Sequence, residues 1–468
     1  MRISLKSHGG SREVTGTKHL ISVGDQQILL DCGMFQGHRD DTYRRNKELP
    51  FDVKGLAAVI LSHGHFDHSG NLPTLGKEGY DGFIYATDAT RDIANLILQD
   101  ASHIMAKDFE WLQKKGKPAN VPLYNIEDVA NTMSMFACFG HHRAFPVIPG
   151  VKCEFYEAGH ILGSSVVRLR IQDGKEERTI AFTGDLGRPG MPIIKPPEKI
   201  PTPDYLIMES TYGNRLHEPI DDAEEQLAQV IAETFAKGGK VIIPSFAVGR
   251  TQELVYYLHK LRLQGKLSET TKIYVDSPMG IRATGLFQLH QECFNEDLRK
   301  DFLENRIDPF GFPGLIFTAD QQQSMAINEI KEPCIIIASS GMCEAGRILH
   351  HLKNNVGDPK NTVLVVGFMA ENTLGRSLAD KKPVVTIFGT EYARRARVKI
   401  LNTFSGHADR DDLVGYVRQL DLARLKKVFL VHGENAALEN LKSLLLGIGV
   451  RAVEIVEPET EYPLFETP

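Results

Sequence analysis

The stretch Ala57–Pro73, AAVILSHGHFDHSGNLP, decides how this chain is read. Its first half is a run of apolar residues ending at Leu61, the pattern of a buried strand. Its second half places His63, His65, Asp67 and His68 within six residues of one another. Imidazole and carboxylate are the donors preferred by zinc and similar divalent ions. In an extended loop, this spacing turns His63 and His65 one way and Asp67 and His68 another. That is an arrangement for two adjacent ions, and one loop cannot complete two such sites.

The missing donors are expected at the ends of other strands, and the sequence offers them. Cys153–Tyr156 leads to His160 in EAGHILGSS, and Thr179–Phe182 leads to Asp185 in FTGDLG. Lys427–Val431 leads to His432 in VHGE, and a hairpin of His19–Val23 and Gln27–Leu30 leads to Asp31 in LLDCG. Each lies within two residues of a glycine, which lets the backbone turn sharply next to a crowded ion.

Outward from these motifs the chain has two rhythms. The early part is strand-rich, with Leu56–Leu61, Val166–Ile171 and Tyr205–Met208 as further short strands, a helix from Asp88 to about Lys115, and a second helix over Tyr124–Phe139. From Asp221–Lys237, which reads as a helix, strands alternate with glycine-containing loops and helices. KVIIP, SFAVGR and TQELVYYLHKL follow in order, then KIYVDSPMG, CIIIASSGMCEAGRILHHL and TVLVVGFMAENTLGRSL. Such units build a parallel sheet covered on both faces. After Lys399 the first style returns, with a helix near Leu413–Leu420. The chain therefore reads as one domain interrupted by another, and 468 residues suit two domains.

Composition narrows the class. With 42% hydrophobic and 24% charged residues the chain is an ordinary globular protein. A formal net charge of -6 argues against a polycationic nucleic-acid binder. Six scattered cysteines without a CxxC pair suit a reducing compartment. The N-terminal MRISLKSHGG lacks an apolar leader, and no long apolar run is present, so the expectation is a soluble cytoplasmic protein without a membrane partner.

HGHFDH, GHILGSS and TGDLG, in that order, resemble the metallo-β-lactamase superfamily of αββα sandwiches. MESTYG around Glu209, the inserted α/β domain, FSGHAD around His407 and VHGE around His432 resemble its β-CASP branch, which includes the cleavage and polyadenylation endonuclease and its prokaryotic relatives. The resemblance implies a metallo-β-lactamase domain over residues 1–215 and 400–468, with a parallel-sheet β-CASP domain inserted at 216–399. It implies that His63, His65 and His160 hold one ion and that Asp67, His68 and His432 hold another, with Asp185 bridging. Asp31 would orient a ligand imidazole. Asp67, Asp185, Glu209 and His407 would form the catalytic set, with His407 as general acid and Glu209 supporting it. The implied cofactor is a pair of divalent ions, zinc first, with manganese or iron also accepted. Two ions about 3.5–4 Å apart lower the pKa of a shared water to roughly 7 and clamp phosphate oxygens.

The implied activity is hydrolysis of RNA phosphodiester bonds, endonucleolytic or 5′–3′ exonucleolytic, on single-stranded RNA, with a homodimer left open. In this family a histidine in the last motif, here His432, goes with RNA. Ser405, Arg250 in SFAVGR, and Ser340 and Arg347 around ASSGM are candidate phosphate contacts, at turns whose free N–H groups suit anions. The run Arg394, Arg395, Arg397, Lys399 falls partly along an expected strand and is a candidate backbone groove. The inserted domain is expected to act as a lid. β-Lactamase, thioesterase and lactonase chemistries fit less well, since such enzymes typically lack the insertion and FSGHAD, and diiron relatives usually have a glutamate where His65 stands and carry a flavin domain. A non-catalytic or partner-dependent scaffold and a DNA-directed nuclease are the alternatives.

Overall fold

The computed structural model describes residues 2–37, 39–367, 369–370 and 372–465. The chain forms two compact units, one of Met1–Pro189, Pro196–Leu216 and His407–Pro468, the other of Gly190–Lys195 and His217–Gly406.

The first unit holds two seven-stranded sheets. One runs, edge to edge, through Glu461–Phe465, Ile3–Gly9, Lys18–Val23, Gln26–Leu30, Leu56–Ile60, Ile84–Ala86 and Phe136–Cys138. The other runs through Val453–Ile455, Lys427–Leu430, Tyr205–Met208, Glu176–Phe182, Ser165–Asp173, Val151–Glu157 and Phe145–Ile148. Strand alternation sorts side chains between layers. Ile28, Leu30, Ala58 and Ile60 join Phe155, Val167, Leu169 and Phe182 in the core between the sheets. Leu29, Val59 and Leu61 face the opposite way, onto Leu72, Leu75 and Ala94 of the helices outside the first sheet. Leu206, Met208, Val428 and Leu430 meet Leu413, Val417, Leu438 and Leu441 from the helices Arg410–Arg418 and Asn435–Gly447. Helix, sheet, sheet and helix give the αββα sandwich.

Strand direction positions the site. Lys427–Leu430, Tyr205–Met208 and Glu176–Phe182 are mutually parallel. Val151–Glu157 shares their direction through two antiparallel pairings with Ser165–Asp173. In the other sheet Gln26–Leu30 and Leu56–Ile60 are parallel. Within each sheet, therefore, the loops after these strands leave from one edge.

The second unit carries a six-stranded, wholly parallel sheet in the order Leu315–Phe317, Lys272–Asp276, Cys334–Ala338, Val241–Pro244, Thr362–Val365, Arg397–Ile400. A separate antiparallel hairpin pairs Val384–Ile387 with Thr390–Ala393.

The helix expected over Tyr124–Phe139 is shorter. It spans Ile126–Ser134, capped by an Asn125–Asp128 box, because Phe136–Cys138 pairs at the sheet edge with Ile84–Ala86. Sheet pairing overrides the local helical periodicity there. Helix Ala223–Phe235 starts after a turn of 3₁₀ helix at Ile220–Asp222. Of the basic run, only Arg397 and Lys399 lie in a strand, since Arg394 and Arg395 connect Thr390–Ala393 to Arg397–Ile400. Among the described residues, no helix is long and apolar enough to cross a membrane.

Candidate metal centre

The loop after Leu56–Ile60 is not extended throughout. Phe66–Ser69 forms a single helical turn, and this turn, not alternate spacing, separates Asp67 and His68 from His63 and His65. Its backbone is pinned to neighbouring loops: Thr17 N–H donates to the Asp67 carbonyl at 2.9 Å, and Cys32 N–H to that of His68 at 2.8 Å. Gly33 is required here, because a Cβ at that position would lie 1.6 Å from the Asp67 carbonyl oxygen. Gly187 plays the same part across the site, its Cβ position falling 1.6 Å from the Gly159 oxygen.

Two sets of donor atoms converge on Asp185. His63 Nε2 and His160 Nε2 lie 3.2 and 3.1 Å from His65 Nδ1. The same two nitrogens approach Asp185 Oδ2 to 3.6 and 3.7 Å. On the other side, His68 Nε2 and His432 Nδ1 lie 3.4 and 3.2 Å from Asp185 Oδ1. His432 Nε2 is 3.5 Å from Asp67 Oδ2. Asp185 thus turns one oxygen to each set.

The surrounding bonds fix these rings. Asp31 accepts from His68 Nδ1 at 2.6 Å, from Ser62 N–H at 2.7 Å and from Ser62 Oγ at 2.7 Å, which leaves His68 Nε2 facing Asp185. Ser164 Oγ accepts the His160 backbone N–H at 3.0 Å. His432 sits at φ 47°, with its N–H donated to the Gly10 carbonyl at 2.6 Å. His407 joins through a bridge to Gly187 and the Ala408 N–H···O=C bond to Leu186. Its Nδ1 lies 3.5 Å from Glu209 Oε2 and 3.9 Å from Asp185 Oδ2. Glu209 is fully buried and accepts the Leu186 N–H at 2.5 Å.

The cluster is electrostatically unfinished. Burial pushes the His63 imidazole far down and that of His65 to about 4. Burial works against charge at Asp185 as well, but His432, His68 and His63 hold it well below the usual carboxylate range. Burial likewise opposes the His68 imidazolium, yet Asp185 and Asp31 raise it well above its ordinary value. His407 is raised to about 9, Glu209 outweighing the burial that opposes it. Among the described residues, His68 Nε2, His432 Nε2 and Asp185 Oδ1 are buried polar atoms without a hydrogen-bond partner. Orphaned atoms of this kind are costly unless something fills the gap. Four residues, His63, His65, His160 and Asp185, offer donor atoms all within 4.8 Å, as do Asp67, His68 and His432. Nitrogen donors 3.1–3.2 Å apart match a tetrahedron edge of roughly 3.3 Å around an ion bound at about 2.0–2.1 Å. The donor set fits divalent metal.

The other sequence candidates belong to the second unit. Ser405 follows the turn Asn402–Phe404. Arg250 pairs with Glu253 and packs over Phe404. Ser340 Oγ closes its own loop, accepting from Glu344 and Ala345 N–H at 3.2 and 3.3 Å. Arg347 donates to Asp276 Oδ1 at 2.6 Å and to the Thr318 and Ala319 carbonyls at 2.9 and 2.7 Å. Sequence reasoning missed the buried partners of that arginine: Asp276 also takes His351 Nε2 at 2.7 Å and Ser324 Oγ at 2.5 Å. It also passed over Ser62 and Ser164, whose hydroxyls look like any serine in a turn.

Comparison with known proteins agrees with this architecture. The metallo-β-lactamase superfamily matches residues 18–124, the β-CASP domain matches 251–378, and the Zn-dependent metallo-hydrolase RNA specificity domain matches 391–453. A protein named as a ribonuclease from Thermus thermophilus is 36% identical over 442 residues, 93% of this chain and 94% of that protein. Transcription termination factor FttA of Methanosarcina mazei is 33% identical over 462 residues, 96% of this chain and 70% of that protein. A crystal structure of a protein of unknown function from Enterococcus faecalis shares the fold at 14% identity and a TM-score of 0.55, over 99% of this chain and 100% of that one. With a likeness of 36% across nearly all of both chains, another of 33% across 70% of its relative, three domain matches and the donor cluster at the strand ends, the chain belongs to the β-CASP family of metallo-β-lactamase-fold metallo-hydrolases.

Proposed function

We propose that this metallo-hydrolase is a ribonuclease that hydrolyses RNA phosphodiester bonds with two divalent ions. The observation that carries the reading is Asp185, whose two oxygens face two separate sets of histidines. His63, His65 and His160 would hold one ion and Asp67, His68 and His432 the other. Asp185 would serve both. Zinc suits these nitrogen-rich sets, and manganese or iron is also compatible. Bound there, the ions supply Lewis acidity toward water and phosphate.

The chain's own residues carry the rest. Asp31 and Ser62 hold the His68 ring in one tautomer. His407, next to buried Glu209 and about a quarter exposed, would give a proton to the leaving ribose oxygen as the P–O bond breaks. Glu209 stabilises the imidazolium beforehand and orients the ring. The Thermus relative's name and the RNA specificity domain support RNA as the substrate.

The test is cleavage of end-labelled single-stranded RNA and matched DNA by metal-loaded wild type beside Asp185→Ala. The expected result is RNA cleavage, lost with much of the metal in the variant. The product ladder separates internal from terminal cutting. Two bound ions with neither polymer cut would remove the ribonuclease reading and leave the family.

A further inference from the structure

A hairpin in the second unit, whose first strand follows the β-CASP match and whose second strand enters the RNA-specificity match, has surface chemistry that the metal centre does not use. Residues 381–399 hold six basic side chains and one acid, a net of +5 in a chain of net charge -6. Lys381, Lys382 and Arg395 are exposed, and among the described residues none has a carboxylate partner. Arg394 is also without one: its guanidinium donates to the carbonyls of Lys382, Ala396 and Lys381 at 2.9, 2.8 and 3.0 Å. These bonds fasten the base of the hairpin and leave its positive charge uncompensated.

The tip is equally unusual. Ile387 and Thr390 pair across a two-residue turn of Phe388 and Gly389, at φ 51° and 76°. Both positions of such a turn favour Asn, Asp or Gly, and a bulky aromatic in the left-handed region is locally unfavourable. Phe388 nevertheless stands there, 55% exposed, with its ring 4.8 Å from that of His350. Turn geometry does not call for phenylalanine, and burial does not reward it.

Cations at the base and an aromatic face about 13 Å away at the tip, four residues along the strand, are the two elements of a single-stranded nucleic-acid platform. We propose that this hairpin binds single-stranded RNA, with Lys381, Lys382, Arg394 and Arg395 on the phosphates and a base stacked on Phe388. The proposal rests on the ribonuclease reading and adds to it a contact for RNA beyond the cleaved bond.

Two variants of the metal-loaded full chain separate the contributions. Anisotropy would follow binding of a 20-nucleotide phosphorothioate uridine oligomer across a salt series, and cleavage of the unmodified 20-mer and of a tetranucleotide would be measured alongside. The triple variant K381Q/K382Q/R395Q should reduce the slope of log affinity against log salt by about 2, at about 0.7 per lost single-strand contact. Phe388→Asn, which suits the turn better, should weaken binding about 5- to 100-fold with the slope unchanged. Both variants should cut the tetranucleotide at the wild-type rate. Wild-type affinity and slope in both variants would overturn the proposal, as would a change of oligomeric state in their place, which would assign this face to a second copy. If the wild type cuts no RNA of either length, the ribonuclease reading itself falls.

Discussion

Replacing Asp31 by Asn should loosen one metal site and spare the other. Asp31 is fully buried and accepts three bonds, including one of 2.6 Å from His68 Nδ1. An amide oxygen can replace part of that acceptance, but its NH₂ group must face Ser62 or His68, both of which are donors in this arrangement. The charge that fixes the His68 tautomer is lost at the same time. Losing such a support costs about 10–100-fold in metal affinity, or about 1.4–2.7 kcal/mol. The loss should fall on the ion held by Asp67, His68 and His432. Asp31 also comes within 4.8 Å of a His63 donor atom, but among the described residues its hydrogen-bonded link to the other set runs through Ser62, whose Oγ lies 3.1 Å from His63 Nδ1. Competition with a chromophoric chelator, followed as a two-step titration, reads both sites. One step should shift by the predicted factor and the other should stay in place, with urea unfolding of the metal-free variant as the control on the fold. Two unshifted steps, or two steps shifted equally, would refute the assignment of His68 to one of two separable sites.

His407→Ala should retain both ions and the fold while single-turnover RNA cleavage slows about 10²–10⁴-fold, and wild-type cleavage would show that the leaving oxygen is protonated elsewhere. Arg12→Ala should selectively lower occupancy of the site that includes His432, as read by metal analysis. Arg12 anchors the loop whose Gly10 carbonyl holds the His432 N–H, through bonds of 2.7 and 2.5 Å to Glu457 and 2.7 Å to Asn435. Lys18→Met should abolish an alkaline rise in stability. Burial lowers the Lys18 ammonium from 10.5 to about 8 in the folded chain, so between those pH values the unfolded chain binds the proton that the folded chain has released. Stability must therefore climb with pH across that window, by about 3 kcal/mol for a difference of this size. Urea midpoints should show the climb in wild type and its absence in the variant; parallel curves would mean that Lys18 is not the source.

Much of the sandwich was legible because burial leaves a periodic trace. Ile28 and Leu30 point into one layer and Leu29 into the other, and the letters alternate accordingly. The donor residues were legible because His, Asp and Gly in HGHFDH, GHILGSS and TGDLG are expensive choices for ordinary loops. The helical turn Phe66–Ser69 was hidden, since four residues carry no periodicity. Asp276, Arg347 and His351 form one network across 75 residues of sequence, and nothing local marks them as partners. Lys18 was hidden for a related reason: its ammonium is held by the carbonyls of Gly16 and Gly33 over the Phe35 ring, and such backbone acceptors have no sequence signature. The hairpin Val384–Ala393 escaped notice because Phe-Gly stands at its tip in place of the usual Asn-Gly.

The charge of the centre bears on where a polyanion can be gripped. Asp31, Asp67, Asp185 and Glu209 bring four carboxylates to the site, and its histidines are neutral when they coordinate. Two divalent ions would balance those four charges and leave only the His407 imidazolium in surplus. On the proposed reading the ions attract the scissile phosphate at short range, where their charge is concentrated, but the centre as a whole is not a basic surface. With a chain net charge of -6, the flanking phosphates of a single strand need cations supplied elsewhere. Arg347 and Arg250 do not meet that need, because each is already committed to a carboxylate. On the hairpin proposal Lys381, Lys382 and Arg395, which have no carboxylate partner among the described residues, would supply such cations, and salt dependence is the property that tests it. Cleavage of a tetranucleotide should depend weakly on ionic strength, and capture of a long strand should depend on it steeply.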